Sequence, residues 1–179
     1  ANRHLVPRAL EEVADATILA EVETSQSQIR IAMVARTELI GGAHEMHRAL
    51  VRDDAWMAHE CDLELDAGVP VVIDKTVAIT TSRDPAIASP RAGALVELRR
   101  GGRRLAELLP AHDAAWQRLW ERFAVDVDAD AETRLILNLH LFHLLQVASP
   151  HTAGIDAGIP ARGLHGEGYR GHVFWDELF

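Results

Sequence analysis

Two hydrophobic periods divide the chain. In the first half apolar and polar positions alternate with period two, the signature of strands with one face packed and the other wet. Ile18, Ala20 and Val22 share one face; Ile29, Ile31 and Met33 share another, set against Arg30 and Arg36; Met57, Cys61, Leu63 and Leu65 oppose Glu60, Asp62 and Glu64. Val69, Val71, Ile73, Val77 and Ile79 extend the rule around Gly68-Val69-Pro70, and Gly41-Gly42-Ala43 supplies a turn between the second and third strands. Residues 16 to 81 therefore predict part of an antiparallel sheet or sandwich.

The period changes at Asp84-Pro85. Asp84 is expected to cap a helix with Pro85 at its first position, running to Leu98 before Gly101-Gly102 interrupts it. Trp116, Leu119, Trp120 and Phe123 then fall at i, i+3, i+4 and i+7, a wide helical stripe that must dock on something. Val125-Asp126-Val127-Asp128 is a candidate returning strand. Asp130 is expected to cap the next helix, with Glu132 in its first turn, where the helix dipole favours negative charge. Leu135, Ile136, Leu137, Leu139, Leu141, Phe142, Leu144, Leu145 and Val147 leave so few polar positions that this helix is expected to be buried nearly all round, until Ser149-Pro150 ends it. From Pro150 onward the periodicity disappears, and six glycines between Gly154 and Gly171 mix with charges and Trp175. Linkers rarely carry bulky aromatics, so this segment predicts a constrained loop in a site.

Composition narrows the class. With 48% hydrophobic and 25% charged residues the chain is globular rather than a disordered tail. A single domain of 179 residues would bury roughly 70% of its unfolded surface, and two incomplete pieces of a larger protein fit the same length. The net charge of −9 disfavours a general binder of nucleic acid or anionic membrane, whose affinity is built on clustered positive charge. Cys61 is the only cysteine, so neither an internal disulfide nor a paired-thiolate zinc site is available, and a reducing compartment is the default. The longest apolar stretch, Leu135 to Ala148, is short and interrupted by His and Asn, and no charged leader followed by an apolar run opens the chain. A soluble, cytoplasmic protein is expected. The start at Ala1 rather than Met predicts that the N-terminal side has been cut.

Several letter patterns compete for chemistry. Gly166-Glu167-Gly168-Tyr169-Arg170-Gly171 matches the dinucleotide fingerprint but has no strand before it and no amphipathic helix after it, so it is a false positive. His44-Glu45-Met46-His47 is similar to a zinc-protease motif, yet its histidines are three apart near a predicted turn rather than four apart on a helix. His59 and Cys61, on one face of a neighbouring strand, are further candidate ligands; surface histidines plus a buried thiol is the preferred reading, and no metal is assigned. His140, His143 and Gln146 form a polar stripe on the apolar helix, where core hydrogen bonding is expected, with a polar lumen as the alternative. The strongest signal is Trp175-Asp176-Glu177: an aromatic face stacks on the C–H surface of a sugar while a carboxylate accepts from vicinal hydroxyls.

That signal sits inside a longer one. Residues 158–179, Gly-Ile-Pro-Ala-Arg-Gly-Leu-His-Gly-Glu-Gly-Tyr-Arg-Gly-His-Val-Phe-Trp-Asp-Glu-Leu-Phe, resemble the segment that opens the catalytic barrel in glycoside hydrolase family 65. Ser89-Pro90-Arg91-Ala92-Gly93-Ala94-Leu95, Ala115-Trp116 with Leu119-Trp120, and Asn138 to Gln146 are similar too. The family holds inverting phosphorylases of maltose, trehalose, kojibiose and related α-glucosides, with some hydrolases. The resemblance implies an α+β multidomain fragment: the C-terminal part of a β-sandwich over 1–84, a helical linker over 85–130, and the start of an (α/α)6 catalytic barrel over 131–179. It also implies that Trp175 and Asp176 line the subsite of the transferred glucosyl unit, with Phe174, His172 and Arg170 as further substrate-binding candidates. Many relatives read Phe-Trp-Asp-Thr-Glu, and this chain departs from that spacing at Glu177.

Inverting cleavage needs an acid to protonate the leaving oxygen and a nucleophile on the opposite face. In a phosphorylase, phosphate is that nucleophile. Glu177 is an acid by chemistry alone, but its neighbour Asp176 is expected to hold the sugar, so the general acid and the phosphate pocket are expected beyond Phe179. The isolated chain is therefore expected to be inactive. The resemblance implies an α-linked disaccharide or glucoside as substrate, inorganic phosphate as co-substrate if the enzyme is a phosphorylase, no other cofactor, no nucleic-acid or membrane partner, and a homodimer at full length. A non-catalytic remnant or subunit that binds sugar or a partner chain is the alternative.

Overall fold

A computed structural model of the chain describes residues 4–85, 87–101, 104–148, 158 and 159. They form six strands and then three helices: β1 (Leu5–Ala14), β2 (Thr17–Thr24), β3 (Arg30–Gly41), β4 (Ala43–Arg52), β5 (Met57–Leu65), β6 (Val71–Thr81), α1 (Pro90–Arg100), α2 (Leu105–Phe123) and α3 (Ala131–Val147). The expected order, antiparallel sheet first and helices after it, is the order found. The chain divides into two compact units, Ala1–Leu108 and Leu109–Phe179. Among the described residues no helix is long and apolar enough to cross a membrane.

The first unit is built on one bent ribbon. β3 pairs with β6 from Ile31↔Thr81 to Gly41↔Val71, and β4 pairs with β5 from Ala43↔Leu65 to Arg52↔Met57, so the outer pair continues directly into the inner pair. The β3–β6 half joins β2 and β1 in a four-stranded antiparallel sheet ordered β1-β2-β3-β6, while β4–β5 forms a separate two-stranded sheet. The break lies where Gly41 takes a φ of +107° and the opposite limb turns through Gly68 at +80°. A Cβ on Gly41 would sit 2.7 Å from the Pro70 carbonyl oxygen, and one on Gly42 would run into the Val69 side chain. The corner can close only where side chains are missing.

β1 precedes the expected 16–81 alternation, and β4 follows the expected turn at Gly41-Gly42-Ala43 as a strand that the alternation does not mark. Register shifts between Pro7 and Ala9, between Glu12 and Ala14, and between Glu45 and His47 explain why period two does not reveal them. Each bulge inserts a residue and moves every later side chain to the other face. Pro7 is compatible with β1 because β1 is an edge strand.

Side-chain burial corrects the expected core face. Leu19, Ala32 and Val34 are buried with Ala94 and Leu98 of α1, and Val13, Ala78 and Leu95 pack around them. Ile18, Ala20 and Val22 of β2 and Ile31 and Met33 of β3 occupy the opposite face and stay partly open. Both faces of β2 and β3 are apolar, so alternation alone does not say which one α1 takes. Helix α1 starts at Pro90 with Ser89 as N-cap, five residues after the expected start at Asp84-Pro85. Asp84 instead accepts from the Thr81 amide at 2.6 Å and closes the turn after β6. The Arg91 guanidinium then forks onto Glu11 at 2.7 and 2.6 Å, tying α1 to β1.

In the second unit Trp116 of α2 lies 4.9 Å from the Phe142 ring of α3, centroid to centroid, and 6.3 Å from Trp120. Trp116 of the aromatic stripe thus meets α3, whereas Phe123 is 44% exposed. Residues 124–130 hold no strand, which corrects the returning strand expected at Val125 to Asp128. Helix α3 is not buried nearly all round either: Leu135 is 68% exposed, and Ile136, Leu139 and Leu144 are also exposed. Uniform apolarity says where burial would be favourable, not that a neighbour supplies it.

Two outcomes test this architecture. Gly41→Ala is expected to lower stability by about 1–3 kcal/mol, from a strained positive φ plus the Pro70 contact, and to cost more than Gly68→Ala, whose Cβ would meet nothing. Leu19→Ala is expected to cost about 2–5 kcal/mol, because the buried site is closed by strands and α1 and cannot collapse freely. Urea unfolding followed by β-sheet circular dichroism reads both.

Candidate functional site

The sugar-binding candidates Trp175, Asp176, Phe174, His172 and Arg170, together with Glu177 and the glycine fingerprint at 166–171, lie outside the described residues. The other sequence candidates are placed. Opposite residues of an antiparallel pair share a face, so His44 and His47, paired with Glu64 and Asp62, lie on one face of the β4–β5 limb. His59 and Cys61, paired with Leu50 and Arg48, lie on the other. The four side chains therefore do not converge on one ion. Among the described residues no group of three or more His, Cys, Asp and Glu is arranged to hold a metal. His59 instead hydrogen-bonds Glu12 at 2.9 Å.

The stripe on α3 is a surface feature, which corrects the expectation of core hydrogen bonding. His140 and Gln146 are exposed, and His143 Nδ1 lies 3.3 Å from Gln146 Oε1. The start of α3 matches expectation: Asp130 Oδ1 accepts from the Thr133 amide at 2.9 Å, and Oδ2 accepts from the Thr133 hydroxyl at 2.9 Å. These bonds, the backbone one foremost, favour the ionised carboxylate and hold Asp130 below its ordinary range.

A polar cleft of about 420 Å³ in the first unit escapes sequence reading. Asp15, Arg36, Glu38, Glu45, Arg48 and Arg104 line it, brought together from the β1–β2 turn, β3, β4 and the approach to α2. Their separation along the chain leaves no local signature. Arg48 is forked onto Glu45, Nε to Oε1 and Nη2 to Oε2, both at 2.6 Å, and Arg36 pairs with Glu38 at 3.6 Å. The bond from Arg48 holds Glu45 below the usual carboxylate range, and Glu45 raises Arg48 in turn. At neutral pH this pair has neither a proton to give nor a free base to take one. The cleft is an ion-paired seam, and the described residues hold no acid–base constellation for bond cleavage.

Comparison with known proteins then decides the family. Residues 1–119 match the family model described as glycosyl hydrolase family 65, N-terminal domain, and residues 138–179 match the one described as glycosyl hydrolase family 65 central catalytic domain. The chain belongs to glycosyl hydrolase family 65. Family 65 relatives follow the same lines. An uncharacterized glycosyl hydrolase of Mycobacterium tuberculosis is 45% identical over 180 residues, which is 99% of this chain and 13% of the relative. The trehalose 6-phosphate phosphorylase of Lactococcus lactis is 29% identical over 164 residues, 90% of this chain and 20% of that enzyme. The kojibiose phosphorylase of Halothermothrix orenii is 26% identical over 188 residues, 99% of this chain and 24% of that enzyme. The chain thus spans between 13% and 24% of the length of these family 65 relatives.

A pH effect follows from the lowered carboxyls. Glu11 is held down by the Arg91 bond, Glu45 by Arg48 and Asp130 by Thr133. A folded-state value below the unfolded one gives stability that is present above the ordinary carboxylate range and lost as pH falls through the folded value. Asp130→Asn keeps a capping oxygen without a titrating proton, so the acid-induced loss of helical circular dichroism is expected to shrink in that variant relative to wild type.

Proposed function

We propose that this chain supplies part of the glucosyl-binding subsite of an inverting α-glucoside phosphorylase or hydrolase, with Trp175 and Asp176 as its principal contacts. The observation that carries the reading is the match of residues 138–179 to the central catalytic domain of family 65, a span that includes the Phe174-Trp175-Asp176 motif. The names of the relatives, trehalose 6-phosphate phosphorylase and kojibiose phosphorylase, support an α-linked disaccharide as substrate and phosphorolysis as the reaction.

The chemistry divides between this segment and others. Trp175 offers a flat apolar face to the sugar ring, and Asp176 accepts from its hydroxyls; Phe174, His172 and Arg170 complete the pocket wall. In the phosphorolytic case a phosphate oxygen attacks the anomeric carbon as the glycosidic C–O bond breaks, and the departing oxygen takes a proton from a carboxylic acid. The resemblance assigns that acid and the phosphate pocket to barrel segments downstream of the Phe-Trp-Asp motif. The product is β-glucose 1-phosphate plus the released sugar. With water as nucleophile the same subsite serves a hydrolase.

A second reading, a non-catalytic remnant or subunit that associates with another chain, is favoured by the exposed Leu135, Leu139 and Leu144 of α3. Sedimentation tests it. A monomer whose mass does not change with concentration would remove it.

The principal reading has its own assay. The 179-residue chain, mixed with trehalose, kojibiose or maltose and phosphate, is expected to release neither glucose nor glucose 1-phosphate; release of either would place the acid within residues 1–179. When the segment is joined to the remainder of a family 65 catalytic domain, Asp176→Asn and Trp175→Ala are each expected to lower kcat/KM by about 10- to 100-fold, the loss of a hydrogen bond to a charged group or of a stacked face. Unchanged kcat/KM in both variants would refute the subsite assignment.

A further inference from the structure

We infer that α2 is one helix made of two separately held pieces: a first turn, residues 105–108, held by Asp74 of the four-stranded sheet, and a remainder from residue 111 onward held by α3, with Pro110 as the break between them.

The start of α2 is not capped by its own sequence. Arg104, the residue before the first turn, has no side-chain oxygen to accept from the amides that a helix N-terminus leaves free. The cap comes from the sheet instead: Asp74 Oδ2 on β6, 31 residues away, accepts from the Leu105 amide at 3.2 Å. Asp74 is paired with Glu38 in the β3–β6 ladder, so strand pairing fixes where that acceptor stands. A carboxylate there also meets the positive end of the helix dipole. The Arg104 carbonyl then accepts from the Glu107 and Leu108 amides at 2.8 and 3.2 Å, which closes the turn.

Just beyond that turn the helix loses a rung. Pro110 lies inside α2. It has no N–H to give the Ala106 carbonyl four residues back, and its ring crowds that carbonyl. The same ring disfavours helical backbone at Leu109. The two compact units of the chain part at this level, between Leu108 and Leu109. Past the break other contacts take over: Trp116 lies 4.9 Å from the Phe142 ring of α3, and Gln117 donates to Glu121 one turn on at 3.1 Å. An unbroken ladder passes order along a helix because each bond fixes the next residue. With a rung missing, the effect of the cap stops at Pro110.

Amide hydrogen exchange in the 179-residue chain, read residue by residue by NMR, tests the division. Asp74→Ala is expected to speed exchange at Glu107 and Leu108 by about fivefold, the worth of one cap, and to leave residues 117–123 unchanged. Asp74→Asn keeps an accepting oxygen and is expected to exchange as wild type does. Trp116→Ala is expected to do the reverse, speeding exchange at residues 119–123 and sparing Glu107 and Leu108. Pro110→Ala restores the rung, so in that background the Asp74→Ala effect is expected to reach Gln117. If Asp74→Ala loses its circular dichroism, exchange of the unaltered chain at low urea replaces it, with Glu107 and Leu108 expected to follow a different urea dependence from residues 119–123. Unchanged exchange at Glu107 and Leu108, an equal change on both sides of Pro110, an effect that still stops at residue 110 in the Pro110→Ala background, or one urea dependence for the whole helix would each overturn the division.

Discussion

The first unit depends on a corner that side chains would block. A ribbon of paired strands cannot fold back on itself unless both limbs bend at one level, and here the bend falls at Gly41-Gly42 on one limb and Gly68–Pro70 on the other. A positive φ at Gly41, with the Pro70 carbonyl where a Cβ would be, makes glycine a steric requirement at that position. Without the bend, β4 and β5 would prolong β3 and β6 into an exposed two-stranded ribbon, marginal in water. With it, one continuous pair of strands supplies both an inner sheet and a partial second layer.

The sheet needs two layers because its central strands are apolar on both faces. Helix α1 takes the face of Leu19, Ala32 and Val34, and two anchors set its place: the Thr80 hydroxyl donates to the Pro90 carbonyl at 2.5 Å, and Arg91 forks onto Glu11. Small residues, Ala32 and Ala78 on the strands and Ala94 on the helix, bring the two backbones close. The other face is only half roofed by the β4–β5 limb. On the limb Arg48 forks onto Glu45 and His59 reaches Glu12, while Arg48 Nη1 is buried without a hydrogen-bond partner, so the inner surface is only partly neutralised.

For function, the division of labour in family 65 matters more than any pocket in the described residues. The ion-paired cleft around Glu45 and Arg48 has the residue types of an active site but not their poise, because each charge holds the other in its ionised form. The proposed chemistry rests instead on a Trp and an Asp adjacent in sequence, which under that proposal would bind a sugar without cleaving it. A subsite of that kind needs groups from other segments to become catalytic.

The sequence alone determined the passage from antiparallel strands to helices, the cap at Asp130 and the family, because these rest on local periodicity, local hydrogen bonding and an uninterrupted motif, whereas the strand it predicts at Val125 to Asp128 does not form. It did not reveal β1 and β4, whose bulges at Arg8, Val13 and Met46 cancel the period-two signal, nor the true start of α1, where two Pro-containing caps compete five residues apart. The motif residues from Arg170 to Glu177 lie outside the described residues, and their proposed role rests on the sequence motif. Only the tertiary structure decided which face of β2 and β3 becomes core, since both are apolar and the choice belongs to whatever packs against them. It also decided that His44 and His47 face away from His59 and Cys61, because one inserted residue in a strand reverses every side chain after it. Apolarity along a helix or strand states how much would be gained by burial; the neighbours that the fold supplies determine how much is buried, as α3 shows with its exposed leucines.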